Sequence, residues 1–250
     1  MGRVFLTLLA SYADDLDTIL LSINIVIRHR LPDIMLTSEA LQKLSTVPTA
    51  SWAIWSLNGA SNIAFFTAKM ELLHARVVIL GLNRGRRALG QETIPFVNFH
   101  TPNHRGDKRL ERFIQGNQLE AILGGYMTDL SLEIETDSKK VEIDKPTVAV
   151  DNLRSQLSFS DEPRRTIICI GDKTFDTLCR GIGLKASRYK KDQANVNLRM
   201  TQASFDGEEW SVYRVWLHSS YGKFEHYGEV ELPKQLTFIN DQVHGSGPRR

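Results

Sequence analysis

The sequence is poor in cysteine: of its 250 residues only Cys169 and Cys179 carry a thiol. Two cysteines cannot build a disulfide framework, and neither sits in a Cys/His spacing that holds zinc. This usage fits a reducing compartment and an expected cytoplasmic location. Long apolar runs are also missing. None approaches the roughly 20 residues that cross a bilayer, so no membrane partner is expected. The apolar opening Val4–Ala10 is short and is followed at once by Asp14, Asp15 and Asp17, which argues against a secretory signal. Neither charge dominates: 31 basic and 29 acidic residues give +2. That balance does not by itself imply a nucleic-acid partner, although it leaves local patches open. There is no GxGxxG, no P-loop and no G-x-S-x-G elbow, which excludes a standard nucleotide fingerprint and an α/β-hydrolase reading.

What is present is ordinary globular material, 42% hydrophobic and 24% charged, enough for one large domain or two small ones. Residues 1–48 read as a helical extension packed on the core. Leu16, Ile19, Leu20, Ile23 and Ile27 follow the spacing of one helix face, Pro32 ends it, and Ser38–Leu44 is a second short helix. Residues 49–250 read as the main domain, with no internal repeat. Its clearest signal is Val77-Val78-Ile79-Leu80, stopped by Gly81, a strand buried on both faces. Further strands are expected over 121–130, 166–170 and 212–217. Helix-sized segments separate them, one from about Gly106-Asp107 with Leu110, Phe113 and Ile114 on one face, another over 174–179. Strands alternating with helices predict an α/β three-layer sandwich around a mostly parallel, four-stranded central sheet.

In such sheets ligands bind at the carboxyl ends of the strands. That rule selects Asn83, Asp129, Gly171-Asp172 and His218. Gly81-Leu82-Asn83-Arg84-Gly85 is either an ordinary turn or a backbone-lined approach to a phosphate or base. His218-Ser219-Ser220 is either a solvent-facing loop or a source of an acid, base or hydrogen-bond donor. The stretch 98–106 offers Phe99 and His100 for stacking and hydrogen bonding, or simply caps the next helix. His100 and His104 are four apart, but no third ligand is evident, so no metal and no cofactor is expected. Arg84, Arg86 and Arg87, and separately Arg188, Lys190 and Lys191, are basic groups suited to a phosphate-bearing ligand or to a plain solvated face. Trp52, Trp55, Phe65 and Phe66 read as core.

Taken together and in order, these strand ends resemble the uracil-DNA glycosylase superfamily. Its members have a parallel four-stranded sheet between helices, a Gly-x-Asp/Asn motif after the first strand and His-Pro-Ser after the last. Here Gly81-Leu82-Asn83-Arg84-Gly85 resembles the first motif and His218-Ser219-Ser220 the last. Asp129 stands where the family keeps a base-reading Asn, and Gly171 matches the glycine ending the third strand. The likeness covers roughly residues 76–225. Arg84 and Ser219 replace prolines of the two motifs, and Asp129 replaces the Asn. The resemblance implies a glycosylase-type hydrolase acting on a nucleobase in DNA or a nucleotide. Asn83 would then orient water, His218 would stabilise the departing base anion, Asp129 would read the base and Phe99 would stack on it. The altered motifs leave a second expectation open, a non-catalytic nucleotide or nucleic-acid binding module. The oligomeric state is not legible.

Overall fold

A computed structural model describes residues 36–56, 62–85, 94–101, 104–135, 137, 140–184, 190–191, 197–219 and 224–245. The chain forms two compact units, Met1–Met35 and Leu36–Arg250, and every described residue lies in the second. The expected helix over 16–27, Arg86, Arg87, Arg188 and Ser220 lie outside the described residues.

The elements in chain order are α1 (Ser38–Leu44), β1 (Ser51–Trp52), α2 (Ile63–Thr67), β2 (His74–Arg84), α3 (Arg105–Ile114), β3 (Gly125–Ile134), α4 (Pro146–Leu157), β4 (Arg164–Ile170), α5 (Asp172–Gly181), β5 (Lys190–Lys191), β6 (Asn197–Phe205), β7 (Glu208–Val215) and α6 (Leu232–Gly245). α1 coincides with the expected second helix. It is capped by Thr37, whose side chain accepts from the Ala40 amide. Leu41 and Leu44 pack into the same core as Trp52 and Phe66. The main unit therefore takes in residues on both sides of the boundary expected near 48.

The fold is α/β, but the sheet is mixed and has seven strands, in the order β1-β3-β2-β4-β7-β6-β5. The four expected strands form its centre and are parallel to one another. Three strands went unforeseen, each antiparallel to its neighbour: β1 on β3, β6 on β7 and β5 on β6. The cause at the β7 edge is a tight hairpin. Asp206 and Gly207 both have positive φ, 52° and 85°, the backbone that a two-residue Asp-Gly loop adopts.

Alternation along β2 feeds two cores. Val78 and Leu80 join Ile167, Cys169, Val212 and the helices α4 and α5 on one face. Val77 and Ile79 join Met127, Ile168, Val215, α3 and α6 on the other. Each of the buried Val, Leu, Ile and Met side chains contributes about 1.5–3 kcal/mol on burial. Both cysteines are free and buried. Among the described residues, no helix is long and apolar enough to cross a membrane.

Candidate functional site

Parallel strands present their carboxyl ends to one side, so Asn83 on β2, Asp129 on β3, Gly171 after β4 and His218 after β7 share one end of the sheet. Gly81 does not stop its strand, as the sequence led us to expect. β2 runs on to Arg84, with Gly81 paired to Asp129 in register. The glycine is needed for space rather than for a turn. A Cβ there would stand 1.9 Å from Asp129 Oδ1 and 3.1 Å from Phe99 Cζ, closer than van der Waals contact allows.

Asp129 is buried, at 5% exposure. Its Oδ2 accepts from Asn98 Nδ2 at 2.9 Å. Burial pushes its pKa from 3.8 up to about 7, against the pull of Asn98 and the Arg84 charge. The segment that brings Asn98 and Phe99 across is tied down at several points. Ser51 Oγ donates to the Phe96 carbonyl, Trp55 Nε1 to the Phe99 carbonyl at 3.2 Å, and Asn98 Nδ2 to the Thr49 carbonyl. These ties hold Phe96 and Phe99 at φ of 58° and 62°, backbone that bulky residues adopt only when the surroundings impose it.

Phe99 links the two halves of the site. Its ring, like the Asp129 carboxylate, borders Gly81, and its centroid lies 6.0 Å from that of His218. His218 is buried, at 9% exposure. Its carbonyl accepts from Arg109 Nη1 at 3.0 Å, and Arg109 Nε in turn donates to Glu229 Oε1 at 2.6 Å. α3 and the turn before α6 thus clamp the loop that carries His218. Its Nε2 stands 3.7 Å from Asp107 Oδ1.

The other sequence candidates are distributed differently. Asn83 is half-buried, and its amide nitrogen donates to the carbonyls of Arg84 at 2.9 Å and Glu135 at 2.7 Å. That leaves its side-chain oxygen as the group still open to a water. His100 turns into the core, where Nε2 donates to the Trp52 carbonyl at 3.0 Å between the rings of Trp55 and Phe66. Burial lowers its pKa from 6.5 to about 4, and at 7% exposure it packs as a core residue. Arg84 is also buried, at 3% exposure. Its Nε and Nη2 have no hydrogen-bond partner among the described residues, and its charge acts on Asp129 instead of lying on an open basic surface. Gly85 is exposed, with open space around it. Gly171 has φ 87° and its N–H donates to the Val215 carbonyl. The neighbouring Asp172 is held by Arg214 and Arg199. Ser219 is half-buried beside His218.

The sequence offered Asn98, His104 and Asp107 only as parts of a polar stretch and a helix start, not as neighbours of Asp129 and His218. His104 is the N-cap of α3 and Asp107 lies three residues on. Their link to His218 depends on tertiary structure alone. No known family model matches the chain, and no curated protein matches it at significant similarity.

Proposed function

We propose that the chain is a uracil-DNA glycosylase-like hydrolase that releases a nucleobase from DNA or from a nucleotide. The observation that supports this reading is that Phe99, at the carboxyl end of the parallel strands, borders Gly81 together with Asp129 and has its ring 6.0 Å from that of His218. A base turned out of its stack needs an aromatic wall, a group that reads its polar edge and a group that stabilises it as it leaves. Phe99, Asp129 and His218 supply those three in that order. Asn83 accepts a hydrogen bond from the attacking water through its free oxygen. The glycosidic bond breaks, the bond from water oxygen to the sugar carbon forms, His218 stabilises the negative charge developing on the base, and the proton lost by the water ends on the released base.

The exchange of the base-reading Asn for Asp129 is compatible with this role because of burial. With its pKa near 7, the carboxyl keeps a proton in mildly acid solution and offers a donor beside an acceptor, as an amide does. A second reading, a binding module without turnover, draws on Asn83: both hydrogens of its amide are committed to backbone carbonyls. The test is incubation of the full chain, with chelator, against single- and double-stranded oligonucleotides carrying uracil, hypoxanthine or mismatches. Abasic sites are then scored by alkaline cleavage. Release from at least one substrate is expected. Saturable binding without release favours the module, and neither binding nor release defeats both readings.

A further inference from the structure

Beside the proposed base site, two imidazoles and a carboxylate converge from two distant stretches of chain. One donor atom from each of His104, Asp107 and His218 lies within 4.8 Å of the other two. We infer that these residues form a binding site for a divalent transition-metal ion of the zinc class, an inference independent of the base-release reading.

Geometry is the first support. Ligand bonds of about 2.0–2.1 Å at tetrahedral angles set donor atoms roughly 3.3 Å apart. Two of the three separations straddle that value: His104 Nδ1 to Asp107 Oδ1 is 2.7 Å, a hydrogen bond in the absence of an ion, and His218 Nε2 to Asp107 Oδ1 is 3.7 Å, with all three donors inside 4.8 Å. Side-chain shifts of about half an ångström bring both to ligand spacing.

The surroundings give the second. Gly106 makes room for both rings. A Cβ there would lie 2.7 Å from His218 Cδ2, 3.1 Å from His218 Nε2 and 3.0 Å from His104 Cε1. Any other residue would push the imidazoles off the carboxylate. Outer contacts orient the ligands, as metal sites require. The Thr101 amide donates to Asp107 Oδ2 at 3.0 Å, and Arg109 fixes the His218 backbone.

His218 itself is the third. It is buried, its Nδ1 has no hydrogen-bond partner among the described residues, and its Nε2 is too far from Asp107 for a hydrogen bond. An ion there would give Nε2 the partner that Asp107, at 3.7 Å, does not supply, while Nδ1 keeps none among the described residues. Two nitrogens and one oxygen suit zinc better than calcium or magnesium, which prefer all-oxygen shells. The fourth position is left for water. An ion on His218 Nε2 also occupies the atom that would stabilise a departing base, so the metal-loaded and base-releasing forms exclude each other.

The experiment uses the full chain stripped with chelator, titrated with zinc by calorimetry and with cobalt(II) by visible absorption. One equivalent should bind, with the intense cobalt bands of a low-coordinate site. His104→Asn keeps a good N-cap for α3 while removing the imidazole, and His218→Gln removes the distant ligand. Each should weaken zinc binding at least tenfold and abolish the cobalt bands, with the far-ultraviolet circular dichroism unchanged. No saturable binding by the wild type, or one-equivalent binding that survives both substitutions, overturns the inference.

Discussion

At the residue scale, Gly81 and Asp129 constrain each other. The carboxylate occupies the space where any side chain at 81 would begin. Gly81→Ala should therefore destabilise the protein by roughly 1–3 kcal/mol in urea unfolding. Adding Asp129→Ala should recover part of that loss, a non-additivity expected of touching residues. Asp129 also has a pH signature. Its carboxyl binds a proton more tightly folded, at about 7, than at the ordinary 3.8. Protonation therefore favours the folded state, and this contribution to stability falls as pH rises from about 4 to about 7, then levels off. Linkage caps the fall at about 4 kcal/mol. Wild type minus Asp129→Asn, measured by denaturant unfolding from pH 4 to 8, should show that decline, and a flat difference would mean the carboxyl is not buried as described. The sequence exposed these positions as strand-end polar residues. It did not show that Gly81 stays within the strand, because a glycine required for space looks the same as one required for a turn.

At the element scale, α3 does more than cover the sheet. Leu110, Phe113 and Ile114 fill the core, as their spacing predicts, while Arg109 reaches the His218 carbonyl and Glu229. Burial raises the Glu229 pKa, but hydrogen bonds from Arg109 and Arg112 outweigh it and hold the group low. Arg109→Met keeps the apolar stem and removes the charge, taking from the His218 carbonyl its Arg109 donor and leaving Glu229 to Arg112 and Arg105. It should cost about 2 kcal/mol of stability and speed hydrogen exchange around residues 216–219. Unchanged exchange there would show that the loop holds itself. Helix periodicity made α3 legible in advance, but a partner 109 positions away in sequence leaves no local trace. The β6–β7 hairpin was missed for a different reason. Asp206-Gly207 is a strong turn signal, yet β6 reads Asn197-Leu-Arg-Met-Thr-Gln-Ala-Ser-Phe205, polar enough to pass for a surface segment. It is an edge-side strand with one open face, where burial imposes little pattern.

At the scale of the whole molecule, the parallel centre of the sheet gathers residues that the sequence keeps far apart. The four buried runs and their direction were readable because strands covered on both faces must be almost continuously apolar. The flanking antiparallel strands were not, and neither was the turn of His100 into the core, since a loop histidine and a buried one have the same local sequence. The proposed function requires Asp129 and His218 to act on one base. It is tested most directly by single-turnover base release from the best oligonucleotide, at pH 6 and with chelator, comparing wild type, Asp129→Ala and His218→Ala. The account predicts measurable release by the wild type and a loss of about a hundredfold or more in each variant. Release that is undiminished in both variants would contradict it.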